Sequence, residues 1–246
     1  MNALQGTAYE SVAKNPPVAV VESDGRAVVL RPIGLRAPQR GFYACAAKPL
    51  ADRLAGALLL VVLVPVMVVV SLAVVLLSGW PPWYRSRRVG LNGKEFWMLK
   101  IRTMRRDADA VLAELLESSP KLRLEFAVRC KISDDPRITG IGRLLRKLSM
   151  DELPQLVNVA LGYMSLVGPR PVPQDELERM YGRNAAAVCS VRPGVTGLWQ
   201  TNGRSSTTYA QRVAADLTYV ETLTLLGDVK ILLKTAGAVL LRRGAE

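Results

Sequence analysis

The 246-residue sequence contains no histidine, and this absence narrows the chemistry available to the protein. Without imidazole there is no histidine general base, no Ser-His or Cys-His nucleophile pair and no histidine-ligated metal. Acid–base or covalent chemistry must therefore use carboxylates, lysine, tyrosine or cysteine, and a metal ion would be held mainly by oxygen atoms.

Cysteine and aromatic residues are also scarce. Cys45, Cys130 and Cys189 are widely spaced and form no CxxC pair, which argues against a zinc ribbon or disulfide framework and favours a reducing, cytosolic setting. Aromatic residues make up 6% of the chain, too few for a protein that binds single-stranded nucleic acid by stacking. Lysine and arginine, in contrast, outnumber the acidic residues by 33 to 21. The net charge of +12 predicts an anionic partner: nucleic acid, an acidic membrane or a phosphorylated substrate.

The longest apolar run extends from Leu54 to Leu77, 24 residues without a charge. A helix of this length spans about 36 Å, enough to cross the hydrocarbon core of a bilayer. Both flanks are equally basic, with four Lys or Arg in the 20 residues on each side, so the positive-inside rule gives no preferred orientation. Pro65 lies in mid-run, where it would kink a helix. The run is therefore either a single-pass anchor with a proline kink or a re-entrant segment.

Three regions follow from this pattern: an N-terminal tail at 1–47, with a short hairpin around Ser23-Asp24-Gly25, the membrane segment at 48–83 and a domain at 84–246. Asn92-Gly93 between apolar-rich runs predicts a β-hairpin that presents Lys100 and Arg102 at the end of its second strand. Helices are predicted over 107–118, 138–148, 212–222 and 229–243. The basic amphipathic helix at 138–148 fits either a membrane interface or packing against the domain.

Asp151 and Glu152 are adjacent carboxylates directly before Leu153-Pro154. This position is typical of a helix start, where Asp151 would be an N-cap and Glu152 would be favoured by the helix dipole. Taken alone, the pair therefore needs no catalytic explanation.

The surrounding cations favour a different interpretation of the pair. Arg143, Arg146 and Lys147 precede it, and Arg170 follows between two prolines that restrict its backbone. Guanidinium groups bind phosphate oxygens bidentately, so this cluster suits a diphosphate. A carboxylate among these cations can ligate Mg²⁺, or it can attack phosphorus, kept ionised by its neighbours, and form an acyl phosphate.

Several motifs occur in one order between about Lys48 and the C-terminus, and together they resemble the bacterial sugar transferases called monotopic phosphoglycosyl transferases. The motifs are KIRTM from Lys100, DPRIT from Asp135, GR at Gly142 with LRK at Leu145, SMDELPQL from Ser149, MSLVGPRP from Met164 and RPGVTG from Arg192. Each motif is short, but their number and order make the resemblance specific.

The resemblance implies an enzyme that transfers a sugar-1-phosphate from a UDP-sugar to undecaprenyl phosphate, releases UMP and initiates exopolysaccharide or another lipid-linked glycan. It implies that Asp151 is the nucleophile and a Mg²⁺ ligand, with Glu152 as its catalytic neighbour. By match to family positions, five cationic residues would bind substrate phosphates: Lys100, Arg102, Arg146, Arg170 and Arg204.

The resemblance also implies an α+β, mainly helical fold: a re-entrant membrane helix-hairpin, amphipathic interfacial helices and a small β-hairpin in a cytosolic catalytic domain. The membrane helix would break near Pro65, with Lys48, Asp52 and Arg53 at its mouth. The protein would be monotopic on the cytosolic face of the bacterial inner membrane, in contact with phospholipid and not with nucleic acid. Homo-oligomerisation stays open.

Two further positions bear on the resemblance. Tyr163 stands where the family commonly has an acidic residue, which puts the support given by that acid in doubt. The stretch from Gly203 to Tyr209 looks most like family members that transfer galactose- or glucose-1-phosphate. Two other functions stay open: a membrane-tethered protein that binds acidic polysaccharide or anionic lipid explains the charge but not the carboxylate pair, and a nucleic-acid binder explains only the charge.

Overall fold

The computed structural model describes residues 18–21, 27–30, 41–201 and 208–240. Two short strands lie in the N-terminal part, β1 (Val18–Val21) and β2 (Ala27–Leu30), and they pair antiparallel with Val18 opposite Leu30. The turn predicted around Ser23-Asp24-Gly25 lies outside the described residues.

The apolar run forms one long helix, α1 (Lys48–Ser78), which follows a π-helical turn at Tyr43–Ala47 and ends at Gly79, where φ is 79°. α1 contains Pro65 near its middle, and a proline removes one helical hydrogen bond while the neighbouring bonds can hold the helix together. The kink predicted at Pro65, and the break that the resemblance implies there, stay predictions. With the preceding turn it has 36 residues and is long and apolar enough to cross a membrane. Only 17% of its most apolar stretch is buried, unlike a core helix of a soluble protein.

The predicted β-hairpin is confirmed. Strands β3 (Trp83–Val89) and β4 (Glu95–Ile101) pair antiparallel across a turn in which Asn92 and Gly93 have φ values of 57° and 75°. Asparagine and glycine tolerate this left-handed region better than other residues. Lys100 lies near the end of β4 and Arg102 follows that strand, as the sequence predicted.

Three helices connect the hairpin to the carboxylate pair. α2 (Ala108–Ser118) ends just before Pro120, as expected, but Pro120 then starts a further helix, α3 (Pro120–Arg129), which Ser119 caps. α4 (Gly140–Lys147) falls within the predicted 138–148 and is capped by Thr139. The apolar stripe of α4 packs against α1 and β4, which agrees with the packing alternative for this helix.

The remaining elements surround the carboxylate pair and complete the domain. In chain order they are α5 (Gln155–Ala160), β5 (Ser165–Val167), α6 (Gln174–Glu176), a π-helical turn (Leu177–Tyr181), α7 (Ala185–Val188), β6 (Gly194–Thr196), α8 (Leu198–Thr201), α9 (Tyr209–Glu221) and α10 (Leu225–Leu240). β5 and β6 pair in parallel. α9 begins before the predicted residue 212 because Thr208 and Gln211 form a capping box, and α10 begins before the predicted 229.

One face of α1 lies on this domain along most of the helix. Gly56 is so close to α5 that a Cβ atom there would be 2.7 Å from a methyl carbon of Val159. Farther along, Val70 and Val74 pack in a cluster with Ile101 of β4 and Leu145 of α4. The other faces of α1 expose apolar side chains from Leu50 to Leu77. The fold is therefore a mainly helical domain with small sheets, attached along one side of a long apolar helix.

Candidate active site

Asp151 and Glu152 lie in a short 3₁₀ turn, Met150–Glu152, between α4 and α5. The helix-start alternative does not hold for Asp151, because α5 begins only at Gln155 and its N-cap position is Pro154. Asp151 is 8% exposed, so the protein buries a carboxylate that caps no helix. Burying a charged carboxylate is costly unless cations lie close to it, which makes Asp151 the first candidate for chemistry.

Lys100 and Arg170 approach the pair from β4 and from the loop after β5. The Lys100 Nζ atom lies 2.8 Å from Glu152 Oε1 and 4.0 Å from Asp151 Oδ2. The Arg170 Nη1 atom lies 3.6 Å from Glu152 Oε1. Asn158 holds α5 against β4, because its side chain accepts a hydrogen bond from the Leu99 N–H and donates one to the Trp97 carbonyl. These two hydrogen bonds fix α5 relative to β4 and so help to set the distance between Lys100 and the carboxylates.

Arg146 reaches the same region from α4. Its Nε donates a hydrogen bond of 3.0 Å to Thr103 Oγ1, and its charge acts on Asp151. Helix α4 can bring it there because Gly142 packs directly on the Thr103 backbone, where a Cβ atom would lie 2.0 Å from the Thr103 carbonyl oxygen. The structure therefore brings together five of the predicted site residues: Lys100, Arg146, Asp151, Glu152 and Arg170.

The two carboxylates differ in their electrostatics. Burial raises the pKa of Asp151 above its ordinary value and the charge of Glu152 adds to this, while Lys100, Arg146 and Arg170 act in the opposite direction. Burial also acts to raise the pKa of Glu152, but the charges of Lys100 and Arg170 outweigh it and lower that pKa to about 2. The expectation that the cations chiefly keep Asp151 ionised therefore needs correction, because their closest contacts are with Glu152.

Arg102 lies elsewhere, at the end of α1. Its guanidinium donates to the carbonyl oxygens of Ser78 at 2.7 Å, Gly79 and Trp80 at 3.4 Å. A cation at a helix C-terminus is stabilised by the exposed carbonyl groups there. β4 ends at Ile101, so the chain leaves the sheet at Arg102 and its side chain turns to α1 rather than to the carboxylate pair.

The predicted residues at the start of α1 also lie apart from the carboxylate pair. Lys48 Nζ lies 2.7 Å from Asp228 Oδ2 and 3.2 Å from Asp52 Oδ2, and Asp52 also accepts a hydrogen bond from Ser165 Oγ. This buried network connects α1 to α10 and β5. Arg53 packs against Gly162, and Pro65 is on the exposed side of α1. Arg204 lies outside the described residues.

Tyr163, where the resemblance led us to expect an acidic residue, is more than half exposed. Its ring stacks on Phe96 with 6.2 Å between centroids and an interplanar angle of 2°. Phe96 belongs to the core beneath the hairpin. Tyr163 therefore packs on the hairpin through Phe96.

Several residues near Arg170 were missed by the sequence interpretation. The guanidinium groups of Arg170 and Arg212 lie over the Trp199 ring, at 5.6 and 4.3 Å from its centroid. Asp216, one turn after Arg212 on α9, is completely buried and accepts a hydrogen bond of 2.7 Å from Tyr181. For Arg212 and Asp216 the one signal in the sequence was their spacing of four residues in a predicted helix. That spacing usually indicates an ion pair on the solvent-exposed face.

We expect Asp216→Asn to stabilise the protein at pH 8 and to stabilise it less at pH 5. Burial raises the pKa of Asp216 to about 7 from an ordinary value of 3.8, against the effects of the Tyr181 hydrogen bond and the charge of Arg212. The folded state thus keeps a proton that the unfolded chain loses, so stability falls as the pH rises from about 4 to 7. The gain for the neutral amide has an upper limit of about 4 kcal/mol at pH 8.

Thermal unfolding midpoints of wild type and Asp216→Asn in detergent at both pH values measure this effect. Asp175→Asn, at an exposed position, is the control and should show no such pH-dependent gain. A variant less stable than wild type at pH 8 would contradict the raised pKa of Asp216.

Comparison with known proteins identifies the family. The family model described as bacterial sugar transferase matches residues 43–242. The exopolysaccharide production protein ExoY of Rhizobium meliloti is 42% identical over 229 residues, which cover 93% of this chain and 95% of ExoY. The undecaprenyl-phosphate galactose phosphotransferase of Salmonella typhimurium is 49% identical over 168 residues, covering 68% of this chain and 35% of the relative.

A relative from Caulobacter vibrioides extends the comparison to glucose. It is named UDP-glucose:undecaprenyl-phosphate glucose-1-phosphate transferase and is 38% identical over 200 residues, covering 78% of this chain and 69% of its own. The family match spans α1 and the whole described domain, including the carboxylate pair and its cations. The chain therefore belongs to the bacterial sugar transferase family and is a transferase enzyme.

Proposed function

We propose that this enzyme transfers galactose- or glucose-1-phosphate from a UDP-sugar to undecaprenyl phosphate and so initiates exopolysaccharide synthesis. The observation that carries the proposal is the buried Asp151 among Lys100, Arg146 and Arg170, in a domain attached along an apolar helix. A diphosphate donor can reach such a site from water and a lipid acceptor from the membrane. The relatives from Salmonella and Caulobacter have galactose or glucose and undecaprenyl phosphate in their names.

The first step is attack by a carboxylate oxygen of Asp151 on the β-phosphorus of the UDP-sugar. The bond from that phosphorus to the oxygen bridging the two phosphates breaks, and UMP leaves with the electron pair. Asp151 then carries the phosphosugar as an acyl phosphate. Lys100, Arg146 and Arg170 stabilise the charge that develops on the phosphate oxygens.

The second step returns Asp151 to its starting state. A phosphate oxygen of undecaprenyl phosphate attacks the same phosphorus, and Asp151 leaves as a carboxylate. The product is an undecaprenyl diphosphate that bears the sugar. Glu152, with a pKa lowered to about 2, stays ionised throughout and holds Lys100 and Arg170 in place.

Mg²⁺ fits the carboxylate pair. In the described part of the chain no group of three or more Asp, Glu, Cys or His side chains comes together to hold a metal. Mg²⁺ commonly takes one or two carboxylates from a protein and completes its shell with substrate phosphates and water. Asp151 would hold the ion, which when bound neutralises phosphate charge.

The contacts of α1 support a re-entrant, monotopic arrangement on the cytosolic face of the inner membrane. Lys48 at one end of the helix contacts Asp228, and Val74 near the other end contacts Ile101, both in the domain that carries Asp151. A helix spanning the bilayer would draw this charged domain into the hydrocarbon, which is costly. Both ends of α1 therefore stay on one side.

α10 supports a second contact with phospholipid. It exposes apolar side chains at Leu225, Leu226 and Leu233, and Lys230 and Lys234 are exposed on the same helix. Apolar residues beside lysines suit a helix that lies in the interface, where the lysines reach anionic headgroups. This arrangement supports a site that is accessible to a lipid-borne acceptor.

Labelling with a membrane-impermeant maleimide tests the topology. We expect Phe42→Cys and Lys94→Cys, each in a background without the native cysteines, to be protected in intact spheroplasts and labelled after permeabilisation. Both positions are exposed and they lie on opposite sides of α1 in the sequence. Labelling of one position and protection of the other in intact spheroplasts would show a spanning helix instead.

UMP release from the purified protein tests the reaction. With undecaprenyl phosphate and Mg²⁺ we expect release from UDP-galactose or UDP-glucose, and less from the N-acetylated sugars. Omission of undecaprenyl phosphate is the control, since at most one UMP per enzyme can then form. No turnover with any of the four donors would favour a membrane-tethered binding protein.

A further inference from the structure

Arg88 on β3 has no assigned role, although the hairpin register puts it on the same face as Lys100. Tyr84 pairs with Lys100, Ser86 with Met98 and Arg88 with Phe96. Directly opposed residues of an antiparallel pair point to the same face, and side chains alternate along each strand. Ser86 and Arg88 therefore share the face that presents Lys100 to the carboxylates, whereas Arg87 is on the opposite face.

The Arg88 guanidinium is a cation without a hydrogen-bonded partner among the described residues. Its Nε is buried and unbonded, and so is the Oγ of Ser86. Burial lowers the pKa of Arg88, and the charge of Arg170 adds to this. Asp175 and Glu176 are the nearby carboxylates, but neither forms an ion pair with Arg88, and Glu176 accepts a hydrogen bond from Tyr209. A partly buried arginine in this state is stabilised by an anion from elsewhere.

Arg170 connects Arg88 to the reacting centre. On one side it lies 3.6 Å from Glu152, and on the other its charge repels Arg88. Two cations that repel each other in a partly buried site are stabilised when an anion binds to both. The cationic side chains thus offer one anion position beside Asp151 and a second beside Arg88.

The orientation of the hairpin indicates which substrate phosphate would bind at the anion position beside Arg88. At the Lys100 end, Ile101 packs on α1 and the Trp83 indole donates a hydrogen bond of 3.0 Å to Ser71 of α1. Arg88 is four residues from Tyr84 toward the turn, about 13 Å along the strand. Arg88 therefore lies farther from the membrane helix than Lys100 does. This is the side on which a water-soluble nucleotide would leave.

We propose that Arg88, with Arg170 and the Ser86 hydroxyl, binds the α-phosphate of the UDP-sugar, the phosphate that departs in UMP. This assignment rests on the proposed reaction and adds a nucleotide-side subsite to it. The transferred β-phosphate lies at Asp151, and the α-phosphate lies one bridging oxygen away at Arg88. The acceptor phosphate approaches from the α1 side and does not contact Arg88.

Binding and kinetics of Arg88→Met in the full-length protein test the subsite, with UMP and uridine as probes. Removal of a charge-assisted bidentate interaction with a phosphate should weaken UMP binding about ten- to a hundredfold. We expect the KM for UDP-sugar to rise by a similar factor, and uridine binding and the KM for undecaprenyl phosphate to stay unchanged. Arg88→Lys should lose less affinity for UMP, since lysine keeps the positive charge but lacks the guanidinium that binds two phosphate oxygens at once.

Arg87→Met is the matched control, because Arg87 is the neighbouring arginine on the exposed face, stacked on Trp97. It should leave all of these constants unchanged. The subsite is overturned if Arg88→Met binds UMP as wild type does, or if the KM for undecaprenyl phosphate rises instead. If Arg88→Met does not fold, Arg88→Lys takes its place. The subsite is then overturned if Arg88→Lys prefers UMP over uridine by the same factor as wild type. Absence of turnover in wild type would instead refute the proposed reaction.

Discussion

Asp151→Asn is expected to abolish turnover, with a loss of about a thousandfold or more in UMP release. The amide has nearly the same shape as the carboxylate, so it keeps the packing of the turn at Met150–Glu152, but it is not a nucleophile toward phosphorus. The neighbouring carboxylate, Glu152, is paired with Lys100 and Arg170, so we do not expect it to replace Asp151 as the nucleophile. The remaining activity should be at background level for every donor sugar.

Intact mass measurement separates the loss of the nucleophile from a loss of binding. Wild type mixed with a UDP-sugar in the absence of acceptor should gain the mass of one phosphosugar, and peptide mapping should locate it at residue 151. Asp151→Asn should bind UMP normally and gain no mass. Asp107→Asn, at an exposed aspartate paired with Arg105, is the control and should behave as wild type. Near-normal turnover in Asp151→Asn, or an adduct at another residue, would refute the covalent mechanism.

Lys100→Met is expected to have the second largest effect, a fall in kcat of about a hundredfold or more. The lysine is the strongest cationic influence on both carboxylates, lowering the pKa of each. Without it, Glu152 loses its closest partner and the transferred phosphate loses a cation. Its aliphatic replacement preserves most of the packing along β4, so the protein should stay folded.

The pH profile distinguishes this electrostatic role from simple misfolding. Attack requires ionised Asp151, so activity is present above its pKa and lost as the pH falls through it. Removal of Lys100 raises that pKa further, so the acid limb of kcat should move to higher pH. Lys94→Met, at an exposed position beside the hairpin turn, should leave the acid limb unchanged. An unshifted acid limb in Lys100→Met would contradict the role of Lys100.

The features predicted most accurately from sequence were those set by neighbours along the chain. Asn92-Gly93 predicted the hairpin because left-handed backbone there depends on two residues alone. The charge-free run from Leu54 to Leu77 predicted a long apolar helix, since hydrophobicity and length are summed over adjacent residues. The ordered motifs identified the family, and the family match over residues 43–242 confirmed it.

Other features required contacts that no local pattern encodes. Arg102 was predicted to bind phosphate from its match to a family position, yet its guanidinium donates a hydrogen bond at the end of α1. Arg88 looked like one of several surface arginines until the register of β3 and β4 put it on the face of Lys100.

By itself, the sequence determined the inventory of the site: carboxylates and cations without histidine, beside one long apolar helix. Only the tertiary structure decided which cation pairs with which carboxylate. Lys100 and Glu152 are 52 positions apart, and their distance of 2.8 Å depends on how Asn158 holds α5 against β4. Such distances arise from packing between remote segments, and they determine which carboxylate has its pKa lowered and which one has its pKa raised.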